Sequence, residues 1–128
     1  MKLQDLNERT LKFSTNILQF IESLPDTRIC GIISNQLLRS ASSVGANYRS
    51  AGRAKSTRDF INKLKIVEEE CDESLYWLQL LSKQNLGNPD NLSLLITEAD
   101  ELVAIFVTSI NTAKANLELQ RKRKTSTF

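Results

Sequence analysis

Histidine is absent from this 128-residue chain, and proline, cysteine and glycine are scarce, at two, two and four residues. Without histidine the chain lacks the commonest general base and a leading metal ligand. Proton transfer would fall to Asp, Glu, Lys or Cys with a displaced pKa, and neither Cys30 nor Cys71 has an imidazole to activate it. The di-iron sites of helical bundles need Glu-x-x-His on two helices, so that chemistry is excluded as well. Gly45 and Gly52 lack the spacing and the preceding strand of a phosphate-cradling loop. The sequence therefore predicts no enzyme activity, no cofactor and no metal centre. Two cysteines make no disulfide framework, and no signal-peptide pattern opens the chain. Its longest apolar run, Leu102 to Val107, is too short to cross a bilayer. The expectation is a reduced, cytoplasmic protein with both thiols in its core and no membrane partner.

What is present is helix-forming. Ala, Leu, Glu, Lys, Arg and Gln dominate and lose little side-chain entropy in a helix. The length suits one domain with a modest core. Leu3, Leu6, Phe13, Ile17, Phe20, Ile21 and Leu24 recur at three- and four-residue steps, which predicts a first helix over about 3–24 that Pro25 ends. Asp26 or Thr27 can cap a second helix over about 28–52, with the stripe Ile29, Ile33, Leu37, Ala41, Val44, Tyr48 and Ala51. Its centre, from Ser40 to Ala46, is built of small residues, so a neighbouring backbone can approach there.

Ser56-Thr-Arg-Asp59 reads as a capping-box variant opening a third helix over 57–83. Its seam runs Phe60, Leu64, Val67, Cys71, Ser74, Leu78 and Leu81. Leu86-Gly87-Asn88-Pro89 is a stop followed by a start, and the fourth helix is expected over 90–119. Residues 121–128 then form a frayed basic tail after a bundle spanning 1–120. Four such helices with short joints predict an all-α, antiparallel up-down-up-down four-helix bundle.

Charge is unevenly placed. The net charge is only +2, yet Arg39 to Lys65 holds seven basic residues against one acid. Glu68, Glu69, Glu70, Asp72 and Glu73 follow at once, and the chain closes with Arg121, Lys122, Arg123 and Lys124. Adjacent acids point different ways around a helix: Glu68 and Asp72 are expected to flank the seam and Glu70 and Glu73 to turn outward, so the acidic block reads as partners for nearby arginines or as a solvated face. Arg39 and Arg53 are expected to be structural, pairing with Glu68, Glu69 or Asp72. Arg49, Lys55 and Arg58, at or near the turn between helices two and three, are the candidates for phosphate contact, together with the four C-terminal cations.

Gln36-Leu37-Leu38-Arg39-Ser40-Ala41, Ser43-Val44-Gly45-Ala46-Asn47, Gly52-Arg53, Ser56 and Asp59-Phe60 give the chain a specific likeness. It resembles the bacterial 23S ribosomal RNA intervening-sequence protein family, whose corresponding run reads Gln, Arg, Ser-Val-x-x-Asn and Gly-x-x-Arg before a Phe-bearing helix start. Here Gly52 and Arg53 are adjacent, and Ser50-Ala51 replace the usual acid before the glycine. The resemblance implies an antiparallel four-helix bundle assembling as a homopentamer, with Asn47 in the structural motif beside Arg39 and Arg53. More distantly, the chain is similar to the pentameric accessory variability protein of diversity-generating retroelements, which implies a reverse-transcriptase-like protein or RNA as partner.

The leading expectation is thus a non-enzymatic oligomeric bundle that binds RNA or an RNA-containing partner through basic residues. The alternative is a structural protein–protein scaffold without nucleic-acid binding. Helix three is expected at the subunit contact, because Ile66, Tyr76, Trp77 and Leu80 lie off its seam and form an apolar patch a monomer would expose.

Overall fold

The computed structural model describes residues 5–126, which form four helices: α1 (Leu6–Glu22), α2 (Arg28–Ala51), α3 (Thr57–Lys83) and α4 (Pro89–Ser126). Each begins at a side chain able to occupy the free N–H groups of a first turn. Asp5 accepts from the N–H groups of Asn7 and Glu8, and Thr27 from that of Cys30. Ser56 accepts from the Asp59 N–H at 3.1 Å, while the Asp59 carboxylate accepts from the N–H of Lys55, one residue before the cap, at 3.1 Å, a variant of the capping box. Asn88 caps α4 by accepting from Asn91, and Pro89 takes the first helical position.

The ends differ from expectation in two places. α1 closes at Glu22, because the N–H groups of Ser23 and Leu24 turn back to carbonyls only three residues earlier, ahead of Pro25. Its expected start at Leu3 lies outside the described residues. α4 does not fray at Arg121 but continues through Ser126. Nothing between 90 and 126 breaks a helix. Thr125 also donates to the Arg121 and Lys122 carbonyls, and Arg121 pairs with Glu118 one turn back at 3.8 Å.

One core joins all four helices, with Phe13, Ile17 and Phe20 of α1 meeting Leu37, Val44, Leu64, Leu78, Leu102 and Phe106. α2 packs between α1 and α3, α3 packs on α4, and α1 closes the circuit lightly against α4. Close approach occurs where the small residues of α2 predict it. Ser14 Oγ donates to the Ala41 carbonyl at 2.8 Å, and Thr10 lies against Gly45.

Four assignments on or beside the expected seams change. Ile29 is exposed and Phe60 is half-buried, while Ile61 and Leu75 enter the core. A strict 4-3 seam drifts around a helix of 3.6 residues per turn, so over seven turns α3 buries neighbours of its heptad positions. Trp77 and Leu80, expected on an open face, are half-buried against the core, while Ile66 and Tyr76 are exposed. The indole N–H donates to Glu73 at 3.1 Å, and its ring stands edge-on to Tyr76.

Candidate nucleic-acid interface

The turn from α2 to α3, Gly52 to Ser56, is short because the Ser56 and Asp59 cap opens α3 immediately. It leaves Arg53 and Lys55 exposed, with Arg58 exposed in the first turn of α3. A groove of about 450 Å³ runs here between the turn and α4, lined by Gly52, Lys55, Thr57, Phe60, Asn116 and Gln120 among others. The far end of α4 therefore passes beside the α2–α3 turn. At 1.5 Å per residue, Arg121 to Ser126 extend roughly 9 Å further. Arg121, Lys122, Arg123 and Lys124 stand on this extension.

Two basic groups more than sixty residues apart in sequence thus share one end of the molecule. The acids near them are few. Asp59 binds the Lys55 N–H and pairs with Lys63 at 3.3 Å, and Glu118 is held by Arg121. The Lys55 N–H holds the Asp59 carboxyl below its ordinary range, with help from Lys63. Lys55 and Arg58 have no ion pair within the chain among the described residues. A cationic rim of this kind matches phosphate oxygens spaced along a polynucleotide.

The remaining candidates lie elsewhere. Arg49 lines the groove between α1 and α2, with Asn7, Leu11 and Gly45, one turn from the basic end. Arg39 pairs with Glu70 and Glu73 of α3, not with the expected Glu68, Glu69 or Asp72. Those two acids, expected to turn outward, face α2 instead, whereas Glu69 and Asp72, the latter expected beside the seam, are exposed to solvent. Arg53 has no such partner among the described residues, because the turn carries it away from α3's acidic stretch. Asn47 donates to the Ser43 carbonyl at 2.8 Å, bracing its own helix.

One tertiary tie had no motif to announce it. Arg9 donates to Glu98 at 2.9 and 2.5 Å and to Glu101 at 2.9 Å, joining α1 to α4 across their thin contact. The hydrogen bond it donates to Glu98 is the main cause of its raised pKa. The three-residue spacing of the two glutamates on one helix face was the available signal. Burial pushes the Cys71 thiol up to about 12, with Asp72, Glu98 and Glu68 adding to the effect. Both cysteines are free and buried. No cluster with metal-ligand geometry occurs among the described residues, and none of their helices is long and apolar enough to cross a membrane.

These features define an all-α, four-helix protein with a group of basic residues gathered at one end. The chain belongs to the 23S rRNA-intervening sequence protein family, whose model matches residues 4–108. It is also similar to a solved structure from Bacteroides thetaiotaomicron, a protein of unknown function in the S23 ribosomal protein family. The two are 32% identical, the match covers 81% of this chain and 96% of that one, and the TM-score is 0.75. No curated protein matches the chain. The family match ends eighteen residues before α4 does, so the basic extension lies beyond it.

Proposed function

We propose that this protein is a non-enzymatic, self-associating helical bundle that binds RNA, or a partner containing RNA, through its basic end. The observation that carries this reading is the juxtaposition of Arg53, Lys55 and Arg58 with the α4 extension. Arg49 borders this surface without lying in it. An antiparallel up-down-up-down order is supported by paired contacts. Thr10 meets Gly45 while Ser14 meets Ala41, and Phe20 meets Gly87 while Arg9 reaches Glu98. Along each pair one sequence rises as the other falls. For the oligomer, the family resemblance implies five subunits. Two buried free thiols suit a reducing cytoplasm.

The test is a fluorescence-anisotropy titration of a structured RNA over a salt series. Phosphate contacts release counterions, so affinity should fall linearly on a log–log plot. Lys55→Ala with Arg58→Ala should reduce that slope by roughly 1.5, since each neutralised phosphate accounts for about 0.7–0.9 of it. Absence of affinity even at low salt rejects the reading and leaves the protein-scaffold alternative, which the exposed Leu11 and Tyr76 favour.

A further inference from the structure

We infer that the groove between α1 and α2 is one half of a head-to-tail contact between copies of this chain, and that the outward face of α3 is the other half. This builds on the self-association proposed above and assigns it two different faces.

The groove is apolar where a monomer would keep it polar. Leu11 is 59% exposed, and Leu18, two turns further along α1, is exposed beside it. Leu38 stands exposed on α2, one turn before Ser42. Between the helices, Ser14, Ser42, Gly45 and Ala46 leave a hollow of about 390 Å³, enough to receive a large side chain, with Arg49 at its rim. α2 carries four arginines from Arg28 to the turn residue Arg53 and no acid over that span. Arg49 has no ion pair within the chain among the described residues.

The outward face of α3 is its complement. Ile66 and Tyr76 are exposed, Tyr76 at 56%, and stand ten residues apart, roughly 15 Å along the helix. Glu69 and Asp72 are exposed between them and, unlike Glu70 and Glu73, make no ion pair within the chain among the described residues. From Leu38 to Arg49 on α2 is eleven residues, roughly 16 Å, so the two faces match in length. Apolar side chains meet apolar side chains, and an unpaired arginine meets unpaired carboxylates. The occupant of the groove is a second copy, because this chain itself carries the complementary face. Since α2 separates α1 from α3 around the core, the patches are different surfaces, and the contact is heterologous. Heterologous contacts close into rings when the rotation allows. Lys55 and Arg58 belong to neither patch and stay open to RNA.

Sedimentation of two folded variants and their mixture decides the matter, with far-UV circular dichroism to confirm helicity. A groove variant (Leu11→Glu with Arg49→Glu) and an α3 variant (Glu69→Arg with Tyr76→Ser) should each run as monomers. Each keeps one intact face, so mixing them should yield a heterodimer that grows no further. A parent that is monomeric at micromolar concentration overturns both self-association and this assignment. An oligomeric parent with either variant still assembled, or a mixture that stays monomeric, overturns the assignment alone. The charge pair gives a gentler check. Arg49→Glu alone should raise the dissociation constant about tenfold or more, and adding Glu69→Arg in the same chain should restore most of it. Failure to restore overturns the pairing.

Discussion

Gly87 sits at φ +88°, and a Cβ there would lie 2.7 Å from the Phe20 ring and 3.0 Å from Leu24. Backbone strain and the clash act together, so Gly87→Ala should cost roughly 2–4 kcal/mol. Gly31, by contrast, is helical with open space where its Cβ would stand. Gly31→Ala should stabilise by about 0.5–1 kcal/mol through lower unfolded-state entropy. Paired thermal melts check both signs. Cys71 is a second residue with a measurable signature, its thiol lying 3.5 Å from the Ala99 carbonyl. Its folded pKa near 12 exceeds the ordinary value of 9.0. Below pH 9 both states hold the proton; between 9 and 12 only the unfolded state releases it, so stability falls as pH rises. The parent's melting temperature should therefore drop more steeply over that window than that of Cys71→Ala. Equal slopes would refute the burial argument.

Two arginine ties show how differently one interaction type acts between elements. Arg9 has a side chain 15% exposed and bridges Glu98 and Glu101; Arg39 is 51% exposed in its bridge to Glu70 and Glu73. Solvent screens the second pair far more. Arg39→Ala should lower stability by about 1 kcal/mol or less, the expected sign with a small size. Arg9→Ala should cost roughly 1–3 kcal/mol, since it strands a partly buried carboxylate at the thinnest helix contact. Denaturant midpoints of the two variants rank them, and the reverse order would mean that the α1–α4 tie is dispensable. The end of α4 also belongs to this scale. Its run of four cations reads as a tail because charge runs are often solvated, yet a helix stops only where something breaks it. No glycine or proline does so here.

At the scale of the molecule, α4 is longer than the core requires. Thirty-eight residues span roughly 57 Å against roughly 40 Å for α3. Among the described residues, Ala113 is the last one of α4 that is buried. Ending the chain after Gln120 should leave the melting temperature nearly unchanged while weakening RNA binding several-fold at low salt. A large loss of stability would show the extension to be part of the fold, and unchanged affinity would place the phosphate contacts on the α2–α3 turn alone.

The four helices, two of their four caps and most of the core were legible in the chain itself, because periodicity and capping are local. Ile17, Leu37, Leu64, Leu102 and Phe106 recur at helical spacing, and Thr27, Ser56 and Pro89 mark starts by their own chemistry. The family likeness was legible too, in the run from Gln36 to Phe60. Which carboxylates Arg39 takes, that Arg9 clasps two glutamates some ninety residues away, and that the final cations lie at the same end of the molecule as Lys55 were decided only by tertiary structure. Those outcomes depend on how each helix is rotated and how far it slides against its neighbour. A rotation of one position around α3 exchanges Glu69 for Glu70, and local sequence carries no signal strong enough to set that angle before the core packs.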